Sequence, residues 1–270
     1  MTPLTVRCPA KVNLFLAVGP ADGRGYHPLR TVFQAIGLYD ELRLEEGEPG
    51  VEFLGAEVPA ENTVTKALRL LSEVVPLPPL RIRVTKGIPG ESGLGGGSSD
   101  AAGLLRAVPR LTGMTVPAGE LAGIASAVGA DVPVFLVGGR ARAEGYGERL
   151  TPLPDSGREW LVVVRPAVGC ATGEAYRRLD EMTYEWREFP KGDTLYNDFE
   201  RVAPCESLDL IERLQAHGAR DAALSGSGSA VFGRFGQEDE ARGAAKRLLS
   251  EGVPSVWVAP TLTRAESIGV

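Results

Sequence analysis

The chain has 270 residues, 43% of them hydrophobic and 24% charged, with a formal net charge of −6. That is the composition of a globular protein with a sizeable core, in one large domain or two small ones. The negative balance argues against general nucleic-acid binding, and a polyanionic ligand would need local donors and a divalent cation rather than global attraction.

Leu4–Cys8 and Val12–Val18 read as two strands. In the second, Val12, Leu14, Leu16 and Val18 alternate, so Lys11, Asn13, Phe15 and Ala17 share the opposite face and Lys11 neighbours Asn13. Asp22–Pro28 (DGRGYHP) is a turn-rich loop with Tyr26 beside His27. A planar ligand would stack on Tyr26 while His27 bonds its edge; an ordinary surface turn reads the same way. The other histidine, His217, ends the helical pattern Ser207–His217, where the last carbonyls need partners. Glu41–Leu44 and Val51–Leu54 suggest a hairpin. Asn62 is a fair N-cap for a helix over Thr63–Val74, which Pro76, Pro78 and Pro79 stop. Leu80–Thr85 alternates as a strand and delivers Lys86 to the segment that follows, either to meet phosphate or base or as a plain charged strand end.

That segment, Ile88–Leu105, crowds Gly90, Gly93, Gly95, Gly96 and Gly97 ahead of Ser98, Ser99 and Asp100, each a good helix N-cap. Amides leading into a helix start make an anion site, because unpaired donors and the positive dipole end face the same way. The Walker pattern is excluded, since Gly97 stands where its lysine belongs, and the dinucleotide fingerprint fails at Ser98. Helices are expected over Ala101–Val108 and Leu121–Val128. Asp131 lies between the second and Pro133, in an extended or turn geometry. Arg140–Arg149 reads as a strand closing this half.

Pro152–Gly157 is a plausible boundary. Beyond it come a strand (Trp160–Arg165), a helix (Glu174–Leu179), an irregular polar stretch (Tyr184–Thr194) that suggests a mobile insert, a helix (Leu208–Ala216), strands Asp221–Ser225 and Ala230–Arg234 around SGSGS, a helix (Glu238–Ser250) and a strand (Ser255–Leu262). This order is close to a ferredoxin-like α+β unit. Ser225–Ser229 reads first as a hairpin with an over-long loop, and alternatively as a second wall of a site. Cys8, Cys170 and Cys205 are odd in number and unpaired in spacing, which argues against a disulfide framework or zinc site and fits a cytoplasmic setting. No apolar run is long enough to suggest a membrane partner.

Three motifs now stand in order: PAKVNLFL at Pro9–Leu16, GLGGGSSDAA at Gly93–Ala102 and SGSGSAVFG at Ser225–Gly233. Together they resemble the galactokinase–homoserine kinase–mevalonate kinase–phosphomevalonate kinase (GHMP) superfamily. The DGRGYH loop and the GADVP segment are similar to the branch whose alcohol substrate carries a cytidine diphosphate. The resemblance implies an α+β fold with a ribosomal-S5-domain-2-like N-terminal domain (residues 1–153) and a ferredoxin-like C-terminal domain (residues 154–270). It implies ATP and Mg2+ as cofactors and a small-molecule cytidine diphosphate substrate, with no nucleic-acid or membrane partner. Lys11 and Asp131 would be the catalytic pair. Lys86, Pro89, Gly90, Glu91, Ser92, Gly93, Leu94, Gly95, Gly96, Gly97, Ser98 and Ser99 would bind ATP, and Asn13, Tyr26, His27, Thr172 and Tyr176 the substrate. Glu91 is a departure, since a carboxylate early in the loop repels phosphate unless it faces solvent or metal.

Overall fold

Residues 2–269 are described by a computed structural model. The two strands expected at the N-terminus are one, β1 (Leu4–Val18), paired antiparallel with β2 (Leu29–Glu46). Pro9 supplies no N–H, and the ladder absorbs this as a register shift between Pro9 and Ala10 instead of ending. The hairpin expected next does not form. β3 (Gly50–Leu54) is separated from β2 by β4 (Leu80–Thr85), which runs antiparallel to β2 and parallel to β3. A parallel pair needs a crossover, and α1 (Thr63–Val74) supplies it. Asn62 caps α1 as expected: its side chain accepts from Val64 and Thr65 amides, and Thr65 reciprocates to the Asn62 amide.

Three helices follow: α2 (Gly96–Thr112), α3 (Ala118–Val128) and the short, unforeseen α4 (Val132–Val137). Leu71, Leu104 and Leu105 bury their side chains against Leu42, Leu44 and Ile82 of the sheet. Burial of that kind stabilises by roughly 1.5–3 kcal/mol per large side chain. The single strand expected over 140–149 is a hairpin, β5 (Arg140–Glu144) and β6 (Arg149–Pro152), because Gly145 and Gly147 turn the chain at φ +72° and +109°.

The second sheet contains β7 (Trp160–Val164), β9 (Asp221–Leu224), β10 (Val231–Phe235) and β11 (Val256–Pro260), in the spatial order β11-β7-β10-β9 and antiparallel throughout. This is the ferredoxin-like arrangement, with α5 (Thr172–Asp180), α6 (Cys205–Ala216) and α7 (Glu238–Ser250) in the expected places. His217 closes α6 and pairs with Glu251 (2.7 Å), a structural role. Two segments tie the sheets together. The short strand β8 (Tyr196–Asn197) adds to β1, and after Pro260 the chain returns to β2 through Leu262 and ends in α8 (Arg264–Ile268) against α4. The irregular stretch 184–194 is anchored: Arg30 lies 3.9 Å over the Trp186 ring, and Asp193 bridges Arg140 and Arg234.

Candidate active site

The glycine-rich loop joins β4 to α2. The N-cap of α2 is Gly95, in the left-handed conformation (φ 77°), and no side chain caps the helix. Ser98, Ser99 and Asp100, expected to cap it, lie inside its opening turns because two of them are used elsewhere. The Ser99 hydroxyl donates to the Pro9 carbonyl (2.7 Å), and Asp100 accepts from Lys86 (2.6 Å). The first-turn amides of Gly96, Gly97 and Ser98 are therefore left for a ligand. They open on a cavity of about 260 Å³ lined by Lys86, by Pro89 through Gly93, and by Gly95 through Ser98. Leu94 and Ser99 do not line it. The Leu94 side chain is fully buried in the core, and Ser99 is the pin to Pro9. Glu91 is exposed and takes φ +50°, so its carboxylate stands at the solvent side of the loop.

Lys86 lies at this cavity, but its ammonium is engaged from below by Asp40 and Asp100. Asp40 also accepts the amides of Gly87 (2.7 Å) and Ile88 (2.8 Å). Lys86 thus braces β4, β2 and α2 at the foot of the loop. Burial lowers its pKa, but the two carboxylates outweigh burial and hold it above the ordinary lysine value. Burial, then the Asp40 charge, pushes the Asp100 carboxyl up to about 7.

A second cavity, about 410 Å³, opens on the other side of the loop and shares Gly93 and Gly95 with the first. Lys11 stands at its floor, 4% exposed. Its Nζ donates to Gly93 O (2.7 Å) and Asn13 Oδ1 (2.8 Å) and lies 3.5 Å from Asp131 Oδ2. Burial pushes the Lys11 pKa down, and the Asp131 carboxylate opposes it. The Asn13 amide is fixed by donating to Thr31 Oγ1 (2.8 Å), whose hydroxyl donates to Phe15 O (2.7 Å). Asp131 sits at the N-cap of α4 with φ −88° and ψ −8°, a turn geometry and not an extended one, because the chain starts a helix there with Pro133 tolerated in its first turn. Its side chain caps nothing and is 39% exposed to the cavity.

Ser225–Ser229 serves both of its readings. It joins β9 to β10 as a hairpin and also closes the second cavity through Gly226 and Ser227. It docks on the glycine loop: Ser225 Oγ donates to Gly93 O (3.1 Å) and the Ala230 amide to Ser92 O (3.2 Å). Thr172 Oγ1 lies 2.9 Å from Ser227 Oγ, and Tyr176 lines the same wall. The His27 ring packs 4.9 Å from Tyr176, with Nδ1–H donating to Gly19 O (2.9 Å) and Nε2 3.3 Å from Asp180. Tyr26 stands outside the cavity, 62% exposed. Three contributors carry no motif. Asn197 donates to Leu224 O (2.9 Å) and Gly226 O (2.8 Å), Thr31 orients Asn13, and Tyr146 lines the cavity from the β5–β6 turn. Only Asn197, ahead of an acidic pair after an irregular stretch, offered a signal in the sequence.

Comparison with known proteins agrees with this geometry. Family signatures described as the GHMP kinases N terminal domain and GHMP kinases C terminal match residues 62–139 and 197–254. A 4-diphosphocytidyl-2-C-methyl-D-erythritol kinase from Geobacter metallireducens is 38% identical over 92% of this chain and 95% of its own length. The enzyme of that name from Symbiobacterium thermophilum is also 38% identical, over 96% of this chain and all of its own. A crystal structure of 4-(cytidine 5'-diphospho)-2C-methyl-D-erythritol kinase superposes with a TM-score of 0.83 at 34% identity, covering 96% of this chain and 99% of that one. A homoserine kinase from Cytophaga hutchinsonii, at 18% identity and a TM-score of 0.72, shares the fold. The chain is an ATP-dependent phosphotransferase of the GHMP kinases and belongs to the 4-diphosphocytidyl-2-C-methyl-D-erythritol kinase family.

Proposed function

We propose that the protein transfers the γ-phosphoryl group of ATP to the 2-hydroxyl of 4-diphosphocytidyl-2-C-methyl-D-erythritol, a step toward isoprenoid precursors outside the mevalonate route. The observation that carries this reading is the junction of two cavities at Gly93 and Gly95, with the Lys11–Asp131 pair facing that junction. Phosphoryl transfer asks for positioning and charge stabilisation more than for covalent chemistry. The open amides of Gly96, Gly97 and Ser98 hold the phosphate tail from one side. Asp131 accepts the proton of the attacking hydroxyl from the other, as the new oxygen–phosphorus bond forms and the bond to the ADP oxygen breaks. Lys11 pairs with Asp131 and stabilises charge on the attacking oxygen. Asn13, Tyr26, His27, Thr172 and Tyr176 hold the cytidine diphosphate substrate. Lys86 supports the ATP site from beneath.

No group of three acidic, histidine or cysteine side chains able to hold a metal occurs among the described residues. Mg2+ would enter as a companion of the nucleotide, neutralising phosphate charge, with the Ser98 hydroxyl, which lines the phosphate cavity, as a side-chain oxygen placed to share it. We assign residues 1–153 and 154–270 as the two domains, with the final turn of chain docked back on the first. No helix among the described residues is long and apolar enough to cross a membrane, and the three free cysteines fit a cytoplasmic protein. ADP release tests the reading. It is expected to depend on the cytidine diphosphate substrate. Equal release with homoserine, mevalonate or no acceptor would overturn the substrate assignment.

A further inference from the structure

The tip of the loop between β1 and β2, residues 22–26, carries Tyr26, which is exposed and is not among the residues lining the second cavity. Within the tip, the Asp22 amide donates to Tyr26 O (2.8 Å) and the Gly25 amide to Asp22 O (2.9 Å), so the turn is closed on itself. Among the described residues, each side-chain hydrogen bond and ring contact that leaves the tip goes to one residue, Tyr146. The Tyr146 hydroxyl donates to Asp22 Oδ2 (2.6 Å) and accepts from Arg24 Nη2 (2.9 Å). Its ring meets Tyr26 edge-on, with centroids 6.1 Å apart, and the Arg24 guanidinium lies 5.4 Å from the Tyr146 ring and 5.7 Å from the Tyr26 ring.

Tyr146 is itself fixed. Its amide donates to Glu148 Oε2 (2.6 Å), and the preceding Gly145 carbonyl accepts the Leu29 amide (2.7 Å), which ties the turn to the start of β2. It also lines the cavity that holds Lys11, Asp131, Thr172 and Tyr176. Tyr146 is therefore the residue that touches both the reaction cavity and the outlying Tyr26.

We propose that Tyr146 is a specificity-determining positioning residue: with Asp22 and Arg24 it forms a latch that sets the Tyr26–His27 loop at the distance from the cavity that a cytosine base requires. The inference rests on the substrate reading given above. An exposed tyrosine on a glycine-flanked turn has many rotamers, and fixing it beforehand removes an ordering cost that would otherwise weaken base binding. Hydrogen bonds from Tyr146, then from the amides of Tyr26 and Arg24, hold the Asp22 carboxyl well below the usual carboxylate range. The latch therefore stays ionised across neutral pH.

The test uses the full-length protein and steady-state kinetics in the parent, Tyr146→Phe, Asp22→Asn and the double variant. Phenylalanine keeps the ring and removes the hydroxyl; asparagine keeps an acceptor for the loop amides and removes the charge. Each single variant is expected to raise KM for the cytidine diphosphate substrate about tenfold, the scale of one charge-assisted hydrogen bond. KM for ATP should be unchanged, and the double variant should be no worse than either single. Trypsin should also cleave after Arg24 faster in the variants, and cytidine 5′-diphosphate should slow that cleavage less than it does in the parent. Substrate KM within twofold of the parent, additive effects in the double variant, or an equal rise in both KM values would overturn the latch. A parent inactive on the cytidine substrate would instead overturn the substrate reading.

Discussion

Replacing Asp131 with asparagine separates catalysis from stability. The side chain keeps its shape, caps no helix and is 39% exposed, so neither packing nor a cap is lost. What disappears is the carboxylate 3.5 Å from the Lys11 ammonium. With one partner this exposed, solvent screening reduces the net loss to about 1 kcal/mol, worth roughly 2–4 °C in Tm for a chain of this size. Lys11 keeps its bonds to Asn13 and Gly93. A positioned proton acceptor, in contrast, contributes about 10²–10⁴ in rate. Turnover measured by coupled ADP release should therefore fall at least about a hundredfold, while thermal unfolding moves by a few degrees. The pH profile carries the same logic. Burial has lowered the Lys11 pKa below 10.5, so activity should decline on the alkaline side before an ordinary lysine would titrate. Asp131 opposes that lowering, so in Asp131→Asn the decline should begin at lower pH. A variant that retains turnover within about threefold of the parent, well short of the expected effect, would refute the assignment.

Gly93→Ala should lower both stability and activity, because a left-handed residue (φ 75°) would gain a Cβ against the Ser225 carbonyl; a loss of roughly 2 kcal/mol or more in urea unfolding is expected, and unchanged unfolding would count against the docking of the two loops. Asn197→Ala leaves the Leu224 and Gly226 carbonyls without their buried donor, so it should cost about 2–4 kcal/mol and reduce turnover as the Ser225–Ser229 wall loosens; loss of stability with full turnover would limit Asn197 to the fold. Asp100 binds a proton in the folded state, near pH 7, that the unfolded chain has released by about pH 3.8. Its contribution is thus fully present below the unfolded value and is lost as pH rises through about 7, so the parent should lose stability across that window by on the order of 1 kcal/mol per pH unit, and Asp100→Asn should flatten the slope. Identical slopes in the two proteins would contradict this.

Local chemistry made the helices and the anion loop readable. Asn62 caps α1 because its side chain and Thr65 form a reciprocal pair within one turn, and such pairs are visible in sequence. Alternation in β1 placed Lys11 next to Asn13, and the bond between them follows from that spacing. The misreadings come from partners distant in the chain. Ser99 and Asp100 look like caps but are claimed by Pro9 and Lys86. The β3 strand looked like half of a hairpin, yet pairs with a strand delivered by a later helix. At the site, Lys11 and Asp131 were identifiable only through a family resemblance, since 120 residues of chain separate groups that end 3.5 Å apart. Tyr146 and Thr31 sit in no motif, and only folding shows what they touch.

The central claim is that two ligands meet across Gly93 and Gly95 before Lys11 and Asp131. A crystal structure with a non-hydrolysable ATP analogue and the cytidine diphosphate substrate bound together tests it most directly. The account predicts the triphosphate on the amides of Gly96–Ser98 and the substrate 2-hydroxyl within hydrogen-bond reach of Asp131, in line with the γ-phosphorus. A triphosphate seated elsewhere, or a hydroxyl facing away from Asp131, would contradict it.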